Sequence, residues 1–138
     1  MYQAFEVYKS NFIPSVHLSR PKIMACVNAV AADTNEEAEL LSSSLLQMFR
    51  NLVTNSRKGL QEPVENFVDQ MSEEERFHVG QMTACSFVGD AANITKQLKE
   101  FIDYTGADEI MITSPIYDLD AKLHSMDIMK KVIESINA

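Results

Sequence analysis

Most of the usual starting points for chemistry are missing from this sequence. It has no G-x-G-x-x-G and no Walker pattern, so no glycine-rich loop is available to cradle a phosphate. Its three histidines, His17, His78 and His124, form no i, i+4 pair and no H-E-x-x-H, which argues against a metal centre. The two cysteines, Cys26 and Cys85, lack C-x-x-C spacing and lie in apolar strand-like contexts, MACVNAV and TACSFVG. That excludes a zinc ribbon or a disulfide framework and predicts buried, reduced thiols. Basic residues are scarce: 12 Lys and Arg against 20 Asp and Glu give a net charge of −8, and only Arg57-Lys58 and Lys130-Lys131 are adjacent. A surface that tracks phosphates needs concentrated cations, so nucleic acid is excluded as a partner, and an anionic membrane surface with it. No apolar run approaches the roughly 20 residues that cross a bilayer. The opening MYQAFEVYKSNF breaks its aromatics with Glu6 and Lys9 and has no secretory h-region, so the cytoplasm is the expected address. Internal repeats and Gly- or Pro-rich linkers are also absent, and the 138 residues read as one domain.

What is present is a 46% hydrophobic chain with clear helix punctuation. Residues 2–13 form a weak amphipathic stretch on Phe5, Tyr8 and Phe12, stopped by Pro14. The run 22–32, KIMACVNAVAA, is apolar on both alternations, the pattern of a strand covered on both faces. Thr34 and Glu37 have capping-box spacing, and the helix they open presents Ala38, Leu41, Leu45, Met48, Phe49 and Leu52 before ending among Asn55, Ser56 and Gly59. Ser42-Ser43-Ser44 falls mid-helix, as a solvated or a tightly packed face. Residues 59–71 read as an irregular connection anchored at Val64, Phe67 and Val68. Ser72 and Glu75 make a second capping box, with Glu73, Glu74 and Glu75 suited to a positive helix start. Residues 83–88 allow a short strand.

The segment 84–118 is the most informative. Asp90 caps a helix carrying Ile94, Leu98, Phe101 and Ile102 on one face; Gly106 supplies the left-handed stop; 109–114 is a strand. Val88-Gly89-Asp90 is a cap rather than a phosphate site, since Asp90 repels an anion. Asp118 or Asp120 then caps a last helix with Leu119, Leu123, Met126, Met129 or Lys130, Ile133 and Ile136 along its face. The last strand is expected to bury Ile110 and Ile112 on one side and Met111 on the other.

The run from Arg20 to Ala38, RPKIMACVNAVAADTNEEA, resembles a late strand and following helix of the bacterial luciferase-like flavin monooxygenases. Val88-Gly89-Asp90, then TGADEIMITS at 105–114 and Ile116-Tyr117-Asp118, resemble the last strand of that barrel. The matches follow the family's order across most of the chain. Pro115 departs from a T-S-H-I-Y type run, so no polar role carries over to that position. The resemblance implies an α/β fold: a partial (β/α)₈ (TIM) barrel fragment with two or three mostly parallel strands and about five helices. It also implies a lineage that uses reduced FMN and oxygen on aldehydes or other small organic molecules. A whole barrel takes about 250 residues, so only the last two barrel strands and their helices are expected here.

On that resemblance Thr113 and Ser114, at the C-terminal end of a parallel strand, are candidates to line a flavin or substrate cavity; equally, they could satisfy the strand end and the turn before Pro115. Asn28, inside an apolar strand, is a candidate cavity residue or a hydrogen-bond partner of a neighbouring loop, because an unsatisfied amide there costs about 1–3 kcal/mol. The expectation is a truncated monooxygenase, incompetent alone and not holding FMN tightly. The alternative is a small oligomeric binding or scaffolding module. Unpaired strand edges predict a homodimer, or a complementing N-terminal barrel fragment as partner.

Overall fold

The computed structural model describes residues 2–138. The elements run α1 (Tyr2–Asn11), β1 (Met24–Ala31), α2 (Asn35–Val53), a 3₁₀ turn (Phe67–Gln70), α3 (Glu73–Met82), β2 (Ser86–Gly89), α4 (Ala91–Thr105), β3 (Glu109–Thr113) and α5 (Leu119–Asn137). The boundaries follow the caps. Thr34 accepts from the Glu37 N–H, Asp90 from Asn93 and Asp118 from Ala121, while Ser72 and Glu75 close a full reciprocal box. Gly106 ends α4 at φ 62°, the left-handed conformation that glycine adopts without strain.

The three strands are all parallel, in the order β2-β1-β3. β1 and β2 are consecutive strands and neighbours, as in a barrel, whereas β3 pairs with β1 rather than with β2. β2 pairs only with residues 28–31, which leaves the first half of that edge of β1 without a strand among the described residues. The register of β1 against β3 is pinned at its start. The Ile23 carbonyl accepts from the Asp108 and Glu109 N–H groups, and the Asp108 carboxylate accepts from the Ile23 N–H at 2.9 Å and from Arg20 at 2.9 Å.

The core lies on one face of this sheet. Val27, Ala29 and Ala31 pack with Phe87, with Ile94 and Leu98 of α4, and with Ile128, Met129 and Val132 of α5. The other face is open along much of its length. Met24 and Met111 are each more than half exposed, and Cys26 between them is exposed. Three expectations are thereby corrected: β1 is not covered on both faces, Met111 is not buried, and Cys26 is not a buried thiol. The cause is common to all three. The apolar alternation is real, but both helices flanking β3 sit on the same side of it. Only at the end of β1 does burial reach both faces, with Val30 fully covered.

Two helix faces also differ from the expected ones. In α5 the buried residues are Ser125, Ile128, Met129 and Val132, whereas Leu119, Leu123, Met126 and Ile133 lie exposed. In α2 the serine run is packed, while Leu52 is exposed. Ser43 accepts from the Val64 N–H at 2.7 Å, Ser44 donates to the Gln61 carbonyl at 2.6 Å, and Gln47 donates to the Glu62 carbonyl at 2.7 Å. These bonds fasten the connection to α2. That connection contains the 3₁₀ turn, whose Phe67 is buried with Met71 and Val79, although Val68 points outward.

Candidate functional site

The register places Ser86 of β2, Asn28 of β1 and Thr113 of β3 in one row across the open face. The row is hydrogen-bonded: the Thr113 hydroxyl donates to Asn28 Oδ1 at 2.8 Å, and Asn28 Nδ2 donates to the Ser86 hydroxyl at 3.1 Å. Asn28 therefore makes one bond to each neighbouring strand and is only half-buried. One row further down, Cys26 lies beside Met111, with Met24 beyond it. The face thus offers two hydroxyls and an amide bordered by soft apolar side chains. Such a surface can seat a flat polar–apolar molecule; the carboxylate on this alternation, Glu109, is paired with Lys22 at 2.6 Å at the far end of the strand.

Thr113 and Ser114 do not act together. Thr113 joins the open-face row, while Ser114 is buried on the side of α5, bordering a hollow with Ile112, Met126 and Met129. Ser86 was not singled out from sequence, because only the strand pairing brings position 86 beside position 28.

At the far end of the strands the helix starts are occupied by the chain's own side chains. Asn35 Oδ1 accepts from the Asp90 N–H at 2.9 Å and from Asn93 Nδ2 at 3.3 Å, and Asn35 Nδ2 donates to the Asp90 carboxylate at 3.3 Å. Gly89, at φ 147°, lies under this cluster; a Cβ there would meet Asn35 Oδ1 at 2.6 Å. Carboxylates cap both α4 and α5, so neither helix start has room or charge for a phosphate. Asp33, just past β1, lies 2.8 Å from His124 on α5, an ion-pair geometry between residues 91 apart that no sequence spacing reveals. All three histidines are exposed, and no group of three or more His, Cys, Asp or Glu side chains is arranged to hold a metal among the described residues. No helix among them is long and apolar enough to cross a membrane.

Three charges are displaced from their ordinary behaviour. The Asp108 carboxyl is held below the usual carboxylate range, first by the Ile23 N–H and then by Arg20. Glu75 is lowered by the Ser72 N–H and by Arg50. Lys22 is raised by its hydrogen bond to Glu109. All three lie in the scaffold rather than in the open-face row.

A three-stranded parallel sheet with α4 and α5 on one side and a polar row on the other is an α/β unit of the partial (β/α)₈ barrel kind. The fold matches apo-MsnO8 with a TM-score of 0.73 at 20% identity, covering 96% of this chain and 41% of that one. No family model matches the sequence. Individual relatives do: the chain is 38% identical, over 99% of its length, to a luciferase-like monooxygenase of Escherichia coli strain K12. It is 33% identical, again over 99% of its length, to the uncharacterized protein YddN of Bacillus subtilis strain 168. It spans 41% and 40% of those two proteins. The chain therefore matches a C-terminal part of luciferase-like monooxygenases, about two fifths of their length.

Proposed function

We propose that this chain forms the closing section of a flavin-dependent monooxygenase barrel. In this reading the Ser86–Asn28–Thr113 row contributes one wall of the cofactor or substrate cavity, and the remaining strands come from the part of the relatives that the chain does not span. The observation that carries the reading is the row itself: three hydrogen-bonding side chains in register on the sheet face that a barrel turns inward. FMN fits this wall in part. The hydroxyls and the amide suit the polar edge of a flavin ring, and Met24 and Met111 suit its faces. The starts of α4 and α5 offer the phosphate no seat, since each is capped by a carboxylate. Bound reduced flavin supplies the electrons for oxygen chemistry; the residues here position and enclose. Asn28 orders the two hydroxyls by holding one on each side, and Cys26 and the methionines keep the adjoining wall apolar. Three strands do not enclose a cavity, so we expect no turnover from the 138 residues alone.

The test is flavin fluorescence quenching with the chain alone and co-expressed with the N-terminal three fifths of the E. coli relative. Submicromolar one-to-one binding is expected only for the combined protein, and Asn28→Ala in it should weaken binding about three- to ten-fold, the worth of one or two hydrogen bonds. Submicromolar binding by the chain alone, or an Asn28→Ala protein with unchanged affinity, overturns the reading.

A further inference from the structure

We propose that the groove between α2 and the connection that follows it docks a basic amphipathic helix of a partner protein. The groove is a hollow of about 640 Å³, walled on one side by the first turns of α2 and on the other by residues 64–69. Its floor is apolar. Leu46 and Val64 are half-buried there, and Leu40 and Val68 remain 37% and 47% exposed. The two serines beside them are turned to the chain itself: Ser42 donates to the Glu39 carbonyl at 2.8 Å, and Ser43 accepts from the Val64 N–H at 2.7 Å.

Charge complementarity names the occupant. Five carboxylates line the groove, Glu36, Glu37 and Glu39 from α2 and Glu65 and Asp69 from the facing wall, and no Lys, Arg or His lines it. None of the five takes part in an ion pair among the described residues. The positive start of α2 accounts for Glu36 and Glu37. It does not account for Glu39 in the second turn, or for Glu65, which belongs to no helix. The arginines of the neighbouring elements are committed elsewhere: Arg50 to Glu75 at 3.0 Å and to the Phe67 ring, Arg76 to the Met71 carbonyl. The groove therefore holds like charges on both walls of an apolar trough, and cations brought from outside relieve their repulsion. A metal ion or a polyamine would meet the carboxylates but leave Leu40 and Val68 in water. A helix with one apolar stripe and Lys or Arg on both flanks covers the floor and reaches both walls.

The groove uses neither the strand edges nor the open-face row, so it does not rest on the flavin reading. The probe is a fluorescent helical peptide of about 14 leucine and lysine residues, leucine along one stripe, titrated by anisotropy at about 150 mM salt. The full chain should bind it one-to-one. A peptide with serine in place of leucine should bind about ten-fold more weakly or worse, and one with glutamate in place of lysine should not bind. Glu39→Gln/Glu65→Gln should weaken binding about ten-fold, as should Leu40→Ser. Glu100→Gln/Asp103→Gln, which removes the same charge from the exposed side of α4, should leave it unchanged. The Glu39→Gln/Glu65→Gln variant carries the test if Leu40→Ser does not fold by circular dichroism. No binding by the parent, equal affinity for the serine peptide, unchanged binding by Glu39→Gln/Glu65→Gln, or equal weakening by the α4 pair overturns the site. So does loss of peptide binding when the chain is co-expressed with the N-terminal fragment, since that fragment would then be what covers the groove. Flavin quenching by the same combined protein is read separately and bears on the flavin reading alone.

Discussion

Asp108 shows how one side chain can set a register. Its carboxylate takes the Ile23 N–H and Arg20, while its own N–H and that of Glu109 go to the Ile23 carbonyl, so both strands start at a fixed offset. Because the folded-state pKa of Asp108 is lowered, its contribution to stability is present above the unfolded carboxylate value and is lost as pH falls through the folded one. Glu75, bonded to Ser72 and Arg50, behaves with the same sign. Asp108→Asn should therefore lower the urea midpoint at pH 7 and flatten its decline on acidification. A parent-like acid slope in this variant would contradict the assignment. Gly89 is the second residue under constraint. Its φ of 147° and the 2.6 Å approach to Asn35 Oδ1 exclude a side chain. Gly89→Ala should cost about 1–3 kcal/mol in denaturant unfolding. Adding Asn35→Ala should not restore it, because the backbone conformation remains strained.

At the scale of elements, the starts and stops of helices were legible because they are local: a side chain three residues away satisfies an N–H, and a glycine takes a left-handed turn. Thr34, Ser72, Asp90, Gly106 and Asp118 all sit where that chemistry puts them. Which face each element buries was less legible, because neighbours distant in sequence decide it. The helix α5 is apolar around most of its circumference, and the contact with α4 and β1 selects Ile128, Met129 and Val132 over Leu123, Met126 and Ile133. In β1 both alternations are apolar, yet α4 and α5 cover one side only, and on the other side burial is complete only at Val30. Asn28 and Thr113 stood out in sequence as polar residues at strand positions, but Ser86 became visible only through pairing, and Ser114 proved to face the other way. A graded response to truncation follows. Leu98→Ala, at a fully buried α4 position, should cost about 2–5 kcal/mol. Ile112→Ala, half-covered, should cost less, and Thr113→Ala, exposed on the open face, least of all. Equal unfolding midpoints for Leu98→Ala and Thr113→Ala would show that the core lies on the wrong side of the sheet.

For the molecule as a whole, the central strand is the first of the three described strands to be made. β1 ends at Ala31, whereas β2 finishes at Gly89 and β3 at Thr113. At a translation rate of about 5–20 residues per second, β1 waits roughly 3–12 s for the partner on one edge and roughly 4–16 s for the other. During that interval β1, an apolar strand, is without both of the partners it has in this sheet, and α2 is the first element made after it. The arrangement makes this sheet depend on the timing of synthesis: slowing elongation between positions 54 and 86 should increase the fraction captured by chaperones or lost to aggregation, without any change in the finished fold.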